Sequence, residues 1–158
     1  MSGTMQPMSG CVMCDLAGST DDRGHLVVHR GDSVFAALNL YPYNTAHTLI
    51  VPYEHIGDFT LLKREVNIEM WALTQRIVRA LENEYRPDGF NIGMNLGRVA
   101  GAGIPDHLHV HVVPRWGGDT NFMPVTADTK VLPESLDRTW ERLRAALSDD
   151  RPAQSDRS

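Results

Sequence analysis

The 158-residue chain has few cysteines and no long hydrophobic run. Two cysteines, Cys11 and Cys14, are too few for the disulfide framework of a small secreted domain. No apolar run reaches bilayer length, and the first residues, MSGTMQPMSG, lack the basic and apolar regions of a signal peptide. We therefore expect a cytoplasmic protein that has no membrane partner.

Positive charge is also scarce. Lys and Arg number 15 against 20 Asp and Glu, which gives a net charge of −5. This balance argues against broad nucleic-acid binding, although local donors could still bind a small anion. A hydrophobic content of 42% suits one globular domain. We expect that domain at residues 10–148, between disordered polar segments at 1–9 and 149–158.

Hydrophobic periodicity predicts the fold class. Alternating apolar residues predict strands, and Gly31-Asp32 joins the first two as a hairpin. A 3.6-residue period predicts one long helix, and a second stripe follows Pro133. The order of three strands, helix, two strands and helix predicts an α+β domain with an antiparallel sheet of about five strands. The strands are expected at 25–30, 33–40, 47–52, 90–97 and 107–114, with helices over 64–85 and from about 133.

Three histidines alternate with aliphatic residues in HLHVHVVP. In a strand, His107, His109 and His111 would share one face. Filling a core with three imidazoles is poor packing, since each ring needs hydrogen-bond partners. Two functional interpretations stay open: a metal site built from all three rings, or nucleophilic and acid–base catalysis. His25 and His29, on the first predicted strand, are expected at the surface.

The segment CVMC places the two cysteines three residues apart. A thioredoxin-type redox pair would need a βαβ setting, which the predicted elements do not provide. Two thiolates would supply half of a tetrahedral zinc site, with histidines as the remaining ligands. The third interpretation is a pair of free, reduced cysteines that bind no metal.

The segments HLHVHVV, ALNLYPYNTAHTLIVP and FNIGMNLG together resemble the histidine-triad family of nucleotide hydrolases and transferases. The similarity runs from about residue 11 to residue 140. NLYPYN and HVVPRWGGDTNF are most similar to the actinobacterial branch that includes diadenosine-tetraphosphate phosphorylases. The resemblance implies the HIT-like fold: an antiparallel sheet with a long central helix and a C-terminal helix.

The resemblance assigns catalytic roles to three histidines. His109 would attack the α-phosphorus of a nucleotide and become a nucleotidyl-histidine. His111 would donate to phosphate oxygens or assist the leaving group. His47 matches a histidine that supports the triad from an adjacent strand.

The resemblance also assigns residues to substrate binding. Asn39 would bind the ribose hydroxyls, and Asn95 would contact phosphate or ribose. Phe35 and Leu38 are candidates for the walls around the base, although either could be an ordinary core residue, and Asn39 could simply stabilise a turn. Gly103 stands where many members have a polar side chain, so this loop would bind phosphate mainly through backbone N–H groups.

Similar bacterial members hold a structural zinc ion through a closed set of ligands, which here corresponds to Cys11, Cys14, His55 and His107. That set leaves no open coordination position. No organic cofactor is implied.

The implied reaction is double displacement on an adenosine dinucleoside polyphosphate or a nucleotide phosphoramidate. Water as acceptor would make the protein a hydrolase, and inorganic phosphate would make it a phosphorylase. Its partner would be a small-molecule nucleotide, and family members are commonly homodimers. The alternatives are a non-catalytic, zinc-containing nucleotide-binding protein with the same fold, and a metalloenzyme that uses all three histidines.

Overall fold

A five-stranded antiparallel sheet forms the centre of the computed structural model, which describes residues 10–119 and 134–149. The strand order is β1-β2-β3-β5-β4, and every neighbouring pair is antiparallel. This confirms the predicted α+β class. The strands are β1 (Val27–Arg30), β2 (Val34–Leu38), β3 (Thr48–Pro52), β4 (Gly89–Gly93) and β5 (Val110–Arg115).

Three α-helices accompany the sheet: α1 (Val12–Gly18), α2 (Arg64–Tyr85) and α3 (Leu136–Ser148). The bounds of α2 agree with the prediction, because its apolar positions at spacings of three and four are all buried. The helix ends where Arg86 adopts the left-handed conformation, with φ at 48°.

The two faces of the sheet bury different sets of side chains. One face packs against α2 and α3, while the other packs against Met13 of α1. The helix side includes Val34, Ala36, Leu38, Ile50, Val110 and Val112, and the α1 side includes Val27, Phe35, Ala37, Leu49 and Val51. Because neighbours along a strand alternate between faces, the residues that flank Val110 point toward the α1 side.

Several predicted boundaries are wrong. His25 and Leu26 lie in a turn before β1, and 107–109 precede β5 rather than belong to it. Backbone donors in that stretch bond to loops instead of to a strand ladder: the Leu108 N–H donates to the Ile56 carbonyl at 2.8 Å. The C-terminal helix begins at Leu136, and its N-cap Ser135 accepts from the Arg138 N–H.

Other expectations concern residues outside the described ranges. These are the disorder predicted for residues 1–9 and for the tail at 149–158 beyond its first residue, Asp149, which is the C-cap of α3, and the helical position of residue 133. Within the described ranges, no helix is both long and apolar enough to cross a bilayer.

Candidate active site and metal centre

The strand order places the end of the histidine segment on an inner strand of the sheet. β5 lies between β3 and β4, and His111 stands opposite Leu49 of β3. The His111 ring therefore shares the α1 side of the sheet with the ring of His47, which precedes β3. The ring centroids of His47 and His111 are 5.1 Å apart, and those of His109 and His111 are 4.8 Å apart. The structure thus brings the three residues of the predicted catalytic set together.

Backbone and side-chain hydrogen bonds fix where each ring carries its proton. The Tyr43 N–H donates to Nδ1 of His47 at 3.1 Å, so that nitrogen is an acceptor. The proton of the neutral His47 ring is therefore on Nε2, which donates to Nδ1 of His111 at 2.9 Å. As a result, the neutral His111 ring carries its own proton on Nε2.

His109 has the opposite arrangement. Its Nδ1 lies 2.9 Å from the backbone carbonyl oxygen of His107, and a carbonyl can only accept. Nδ1 is therefore the protonated nitrogen, and Nε2 of the neutral ring keeps its lone pair. His109 is buried, at 8% exposure. A nucleophilic nitrogen thus stands beside an N–H donor.

Burial lowers the pKa of His111 to about 4, and the nearby His109 ring adds to the effect by charge repulsion. The ring is consequently neutral near pH 7. At that pH it offers its Nε2 proton as a hydrogen-bond donor without carrying a charge.

Tyr43 is a site residue that the sequence analysis missed. Its ring lies nearly parallel to His111, with centroids 6.1 Å apart and planes at 12°, and it is 4.8 Å from the His47 ring. Its backbone N–H orients His47. A proline–asparagine break predicts a turn here, but it does not predict which backbone N–H the turn aims at an imidazole.

The candidate substrate-binding residues are placed differently from one another. Asn39 lies beside the catalytic rings. Its side-chain Nδ2 is 3.4 Å from Nδ1 of His47, and its side-chain Oδ1 accepts from the Tyr41 N–H. The position of Asn39 is therefore consistent with a role in substrate binding and with a role in stabilising the turn. Asn95 donates to the Gly101 carbonyl at 3.3 Å and so holds the loop that leads to the triad.

Gly103 is an exposed residue of that loop, and a Cβ there would meet no atom within 4 Å. Both candidates for the walls around the base are buried core residues. Phe35 is fully buried on the α1 side, where its ring lies 5.3 Å from Tyr53. Leu38 packs on the helix side of the sheet, so the structure does not bring it to the histidines.

A second cluster joins α1 to the start of the histidine segment. Cys11, Cys14, His55 and His107 each offer one ligand atom, and these atoms all lie within 4.8 Å of one another. Nδ1 of His107 is 3.4 Å from Sγ of Cys11 and 3.6 Å from Sγ of Cys14. Nδ1 of His55 is 3.3 Å from Sγ of Cys14 and 3.3 Å from Nδ1 of His107.

These distances fit a tetrahedral metal ion. Zinc bonds to sulfur and nitrogen imply tetrahedron edges of about 3.3 Å between nitrogens and about 3.6 Å between nitrogen and sulfur. Nε2 of His107 lies 2.9 Å from the Pro52 carbonyl, so it is the protonated nitrogen and Nδ1 is left as the ligand atom. The four residues could therefore hold a metal ion with a closed set of ligands, as expected for a structural site.

A cavity of about 650 Å³ opens next to this cluster. Its lining includes His55, Phe59, Leu96 and Pro105, whereas His109 and His111 are not part of it. The cavity thus borders the metal cluster rather than the reactive nitrogen.

Comparison with known proteins identifies the family. A family model described as "HIT domain" matches residues 22–118, which span β1 to the end of β5. The chain belongs to the HIT domain family. The four histidines with assigned protons, His47, His107, His109 and His111, lie inside the matched range, whereas Cys11 and Cys14 precede it.

Two curated relatives have named activities. The chain is 48% identical over 126 residues to a protein of Mycobacterium tuberculosis named AP-4-A phosphorylase, covering 80% of this chain and 64% of that protein. The chain therefore spans less than two thirds of that relative's length. An Arabidopsis thaliana protein named bifunctional bis(5'-adenosyl)-triphosphatase/adenylylsulfatase FHIT is 32% identical over 120 residues, which is 73% of this chain and 66% of that protein.

Solved structures agree with the fold. A histidine triad family protein from Mycobacterium smegmatis, described as Zn-bound, superposes with a TM-score of 0.71 at 29% identity. The match covers 89% of this chain and 94% of that chain. This likeness confirms the HIT-like fold that the sequence predicts.

Proposed function

We propose that the protein is a nucleotidyl hydrolase or transferase that cleaves an adenosine dinucleoside polyphosphate, or a nucleotide phosphoramidate, through a nucleotidyl group on His109. The proton arrangement of the three rings carries this proposal. It leaves a lone pair on Nε2 of His109 and a proton on Nε2 of His111. The names of the two curated relatives support an adenosine polyphosphate as the substrate class.

In the first step, Nε2 of His109 attacks the α-phosphorus. The P–N bond forms as the bond from phosphorus to the bridging oxygen or nitrogen breaks. The Nε2–H of His111 hydrogen-bonds to a phosphoryl oxygen or to the leaving atom, where negative charge develops. His47 supports this donor, because its Nε2–H occupies Nδ1 of His111.

In the second step, an oxygen of water or of inorganic phosphate attacks the same phosphorus. The P–N bond breaks, the proton of the acceptor passes to solvent, and Nε2 of His109 regains its lone pair. Asn39 suits the ribose hydroxyls, since an amide both donates and accepts. Backbone N–H groups of the loop with Asn95 and Gly103 suit the phosphate chain.

The overall reaction is tested by incubating the protein with diadenosine tetraphosphate, with and without inorganic phosphate. Phosphorolysis yields ADP and ATP, whereas hydrolysis yields AMP and ATP. Turnover in either form supports the proposal. Nucleotide binding without any cleavage, of this substrate or of an adenosine phosphoramidate, would instead support the non-catalytic alternative.

We propose that the metal of the Cys11–Cys14–His55–His107 cluster is a structural zinc ion. Two thiolates and two imidazoles form a common zinc set, and a relative of similar fold is described as Zn-bound. Such an ion would tie α1 to the residue that begins the triad. Reduced thiolate ligands also suit the cytoplasm, which is where we place the protein.

We further propose a homodimer that pairs through β4 and α2. β4 is an edge strand of the sheet, and Ile92 on it is 43% exposed. Ile92 stands opposite Val112, so it points to the helix side of the sheet, where α2 leaves Ile68 and Trp71 exposed. Among the described residues no strand pairs with the outer side of β4, and such an edge beside exposed apolar side chains favours pairing with a second copy.

A further inference from the structure

The cavity of about 650 Å³ beside the metal cluster has no role in the reaction described so far, and we call it the distal pocket. Its volume is within the range of small-molecule sites, which is about 300–1,000 Å³. Two segments of the chain form its walls. The segment between β3 and α2 contributes Asp58 and Phe59, and the segment between β4 and β5 contributes Leu96, Pro105 and Asp106.

Close packing of the backbone holds the two walls in place. The Leu108 N–H donates to the Ile56 carbonyl at 2.8 Å and so joins the two segments. A Cβ at Gly57 would lie 2.8 Å from the Pro105 carbonyl oxygen and 2.9 Å from Cα of Asp106. Because glycine has no side chain, the segments can approach this closely, and the distal pocket is formed before any ligand binds.

Two large apolar side chains of the distal pocket are exposed. Phe59 is 40% exposed and Leu96 is 49% exposed. They belong to different segments and line the same cavity. A flat apolar group between them would remove surface from water on both sides. A nucleobase has this shape, and bases stack favourably on aromatic side chains.

The charge of the distal pocket is negative. Asp58 and Asp106 line it, and no lysine or arginine does so among the described residues. The Thr60 hydroxyl and the Thr60 N–H donate to Oδ1 of Asp58 at 2.7 Å and 2.9 Å, and these bonds lower the pKa of that carboxyl. Carboxylates accept from ribose hydroxyls or from an amino group, but they repel phosphate. The distal pocket therefore suits a nucleoside and disfavours a terminal phosphate.

The distal pocket and the ribose candidate Asn39 lie at opposite ends of the triad segment. Asn39 follows β2 at the end of the sheet where β5 reaches Val112. Asp106 lies three residues before His109, and three extended residues span at most about 11 Å. The distal pocket also borders the metal cluster, which lies on the α1 side of the sheet, to which His109 points. A chain of phosphates that runs from Asn39 past His109 is therefore directed toward the distal pocket.

The loop positions that suit the phosphate chain continue directly into the walls of the distal pocket. Asn95 is followed by Leu96, and Gly103 is followed two residues later by Pro105. Asn95 also donates to the Gly101 carbonyl, so the two parts of this loop are held together. A group attached to the far end of the phosphate chain would consequently meet Leu96 and Pro105.

We propose that the distal pocket binds the second nucleoside of a dinucleoside polyphosphate, with its base between Phe59 and Leu96. This inference rests on the proposed function, because the first nucleotide must lie on His109 for the second to extend to the pocket. It makes a dinucleoside polyphosphate the preferred substrate class. A nucleotide phosphoramidate has no second nucleoside and would leave the pocket empty.

The test is a comparison of affinities by titration calorimetry with the zinc-loaded full chain. The two probes are analogues of diadenosine tetraphosphate and of adenosine 5′-tetraphosphate in which methylene groups replace the bridging oxygens. Since neither is cleaved, binding is measured whether or not the protein turns over its substrate. We expect the wild type to bind the dinucleoside analogue at least about tenfold more tightly.

Phe59→Ala and Leu96→Ala are each expected to weaken binding of the dinucleoside analogue by about fivefold or more and to leave binding of the mononucleoside analogue unchanged. The matched control is Leu61→Ala. Leu61 is apolar, 69% exposed and in the same short 3-10 helix as Phe59, but it does not line the distal pocket. Unchanged binding of the second probe shows that each variant is folded.

Equal affinity of the wild type for the two analogues would overturn the inference, as would a wild-type preference in both Phe59→Ala and Leu96→Ala. Failure of either analogue to bind would overturn it too. Cleavage of diadenosine tetraphosphate together with equal affinities would overturn the inference alone and leave the proposed function standing. A preference that both variants lose, in a protein that cleaves no nucleotide, would support the distal pocket and contradict the proposed function.

Discussion

The proton on His111 depends on a residue outside the triad motif. Tyr43 donates its backbone N–H to one nitrogen of His47, and this leaves the other nitrogen as a donor to His111. Without that bond, the neutral His111 ring could place its proton on Nδ1 and leave Nε2 unable to donate. His47 is therefore a positioning residue for the donor rather than a group that reacts.

We predict that His47→Leu lowers kcat for diadenosine tetraphosphate by about 100-fold, because the donor is no longer oriented. KM should change less, since His47 is fully buried. His47→Gln keeps an acceptor and a donor and should restore part of the rate. Steady-state kinetics measures both effects.

Thr48→Val is the matched control, because it changes the next buried residue of the chain without touching His111. Its hydroxyl donates to the Ala46 carbonyl at 2.9 Å. Wild-type kcat in His47→Leu would contradict the role given to His47.

At the scale of single residues, the sequence predicts a functional residue better when its side chain carries out the function. Alternation and family resemblance bring His47, His109 and His111 together. Tyr43 acts through its backbone, which carries no residue signature. Phe35 and Leu38 lie in the same strand. The face of the sheet that each occupies depends on the strand register, and the sequence alone leaves that register open.

At the scale of elements, the apolar side chains of α1 provide few contacts that hold the helix to the sheet. Of its seven residues only Met13 is buried, and it packs near Phe35. A helix of two turns is marginal by itself. Arg30 of β1 donates to the Leu16 and Ala17 carbonyls at the C-terminal end of α1, and a metal ion in the cluster would fix its first turn to the sheet.

We predict that Cys14→Ser lowers zinc content and lowers the free energy of unfolding by at least about 2 kcal/mol, since a structural metal contributes directly to folding. Metal analysis and thermal unfolding measure the two effects. Val12→Ala is the control on the same helix, where the side chain is exposed.

Zinc content and stability equal to wild type in Cys14→Ser would contradict the structural site. Zinc retained in Cys14→Ser but lost in His109→Ala would instead favour a metalloenzyme that uses the three triad histidines.

Element boundaries were predictable where a periodic pattern is long. In the 22 residues of α2 one apolar stripe runs from Val66 to Leu81, over more than about four turns, and the predicted bounds agree with the structure. Residues 107–109 alternate like a strand, yet the Pro52 carbonyl and the Ile56 carbonyl hold them as a loop. α1 was missed because seven residues do not establish a period.

For the whole molecule, buried histidines make stability depend on pH. The pKa of His111 is lowered to about 4, and that of His29 is lowered too. Unfolding returns each ring to a pKa of about 6.5, so the unfolded chain binds more protons between these values. We predict that the free energy of unfolding of the zinc-loaded protein falls as pH decreases from about 6.5 toward 4.

His111→Asn removes one of these rings and should make that slope shallower. Urea unfolding at a series of pH values measures it. An identical slope in wild type and His111→Asn would show that His111 is not the source.

Assembly is the other property of the whole molecule. We predict that Trp71→Glu converts a dimer to a monomer in light scattering, because a carboxylate at the apolar contact would be desolvated without a partner. Thr20→Glu is the control for the added charge, because Thr20 is exposed and lies outside β4 and α2. A dimer that survives Trp71→Glu, or a wild-type monomer, would contradict the proposed interface.

The central claim is that Nε2 of His109 bonds covalently to phosphorus, and rapid quenching followed by mass spectrometry tests it most directly. Mixed with diadenosine tetraphosphate and quenched under alkaline conditions, the wild type should carry an adenylyl group on the peptide containing residues 107–115. His109→Asn should carry none and show no turnover, while it still binds nucleotide. An adenylyl group on another residue, or turnover by His109→Asn, would contradict the account.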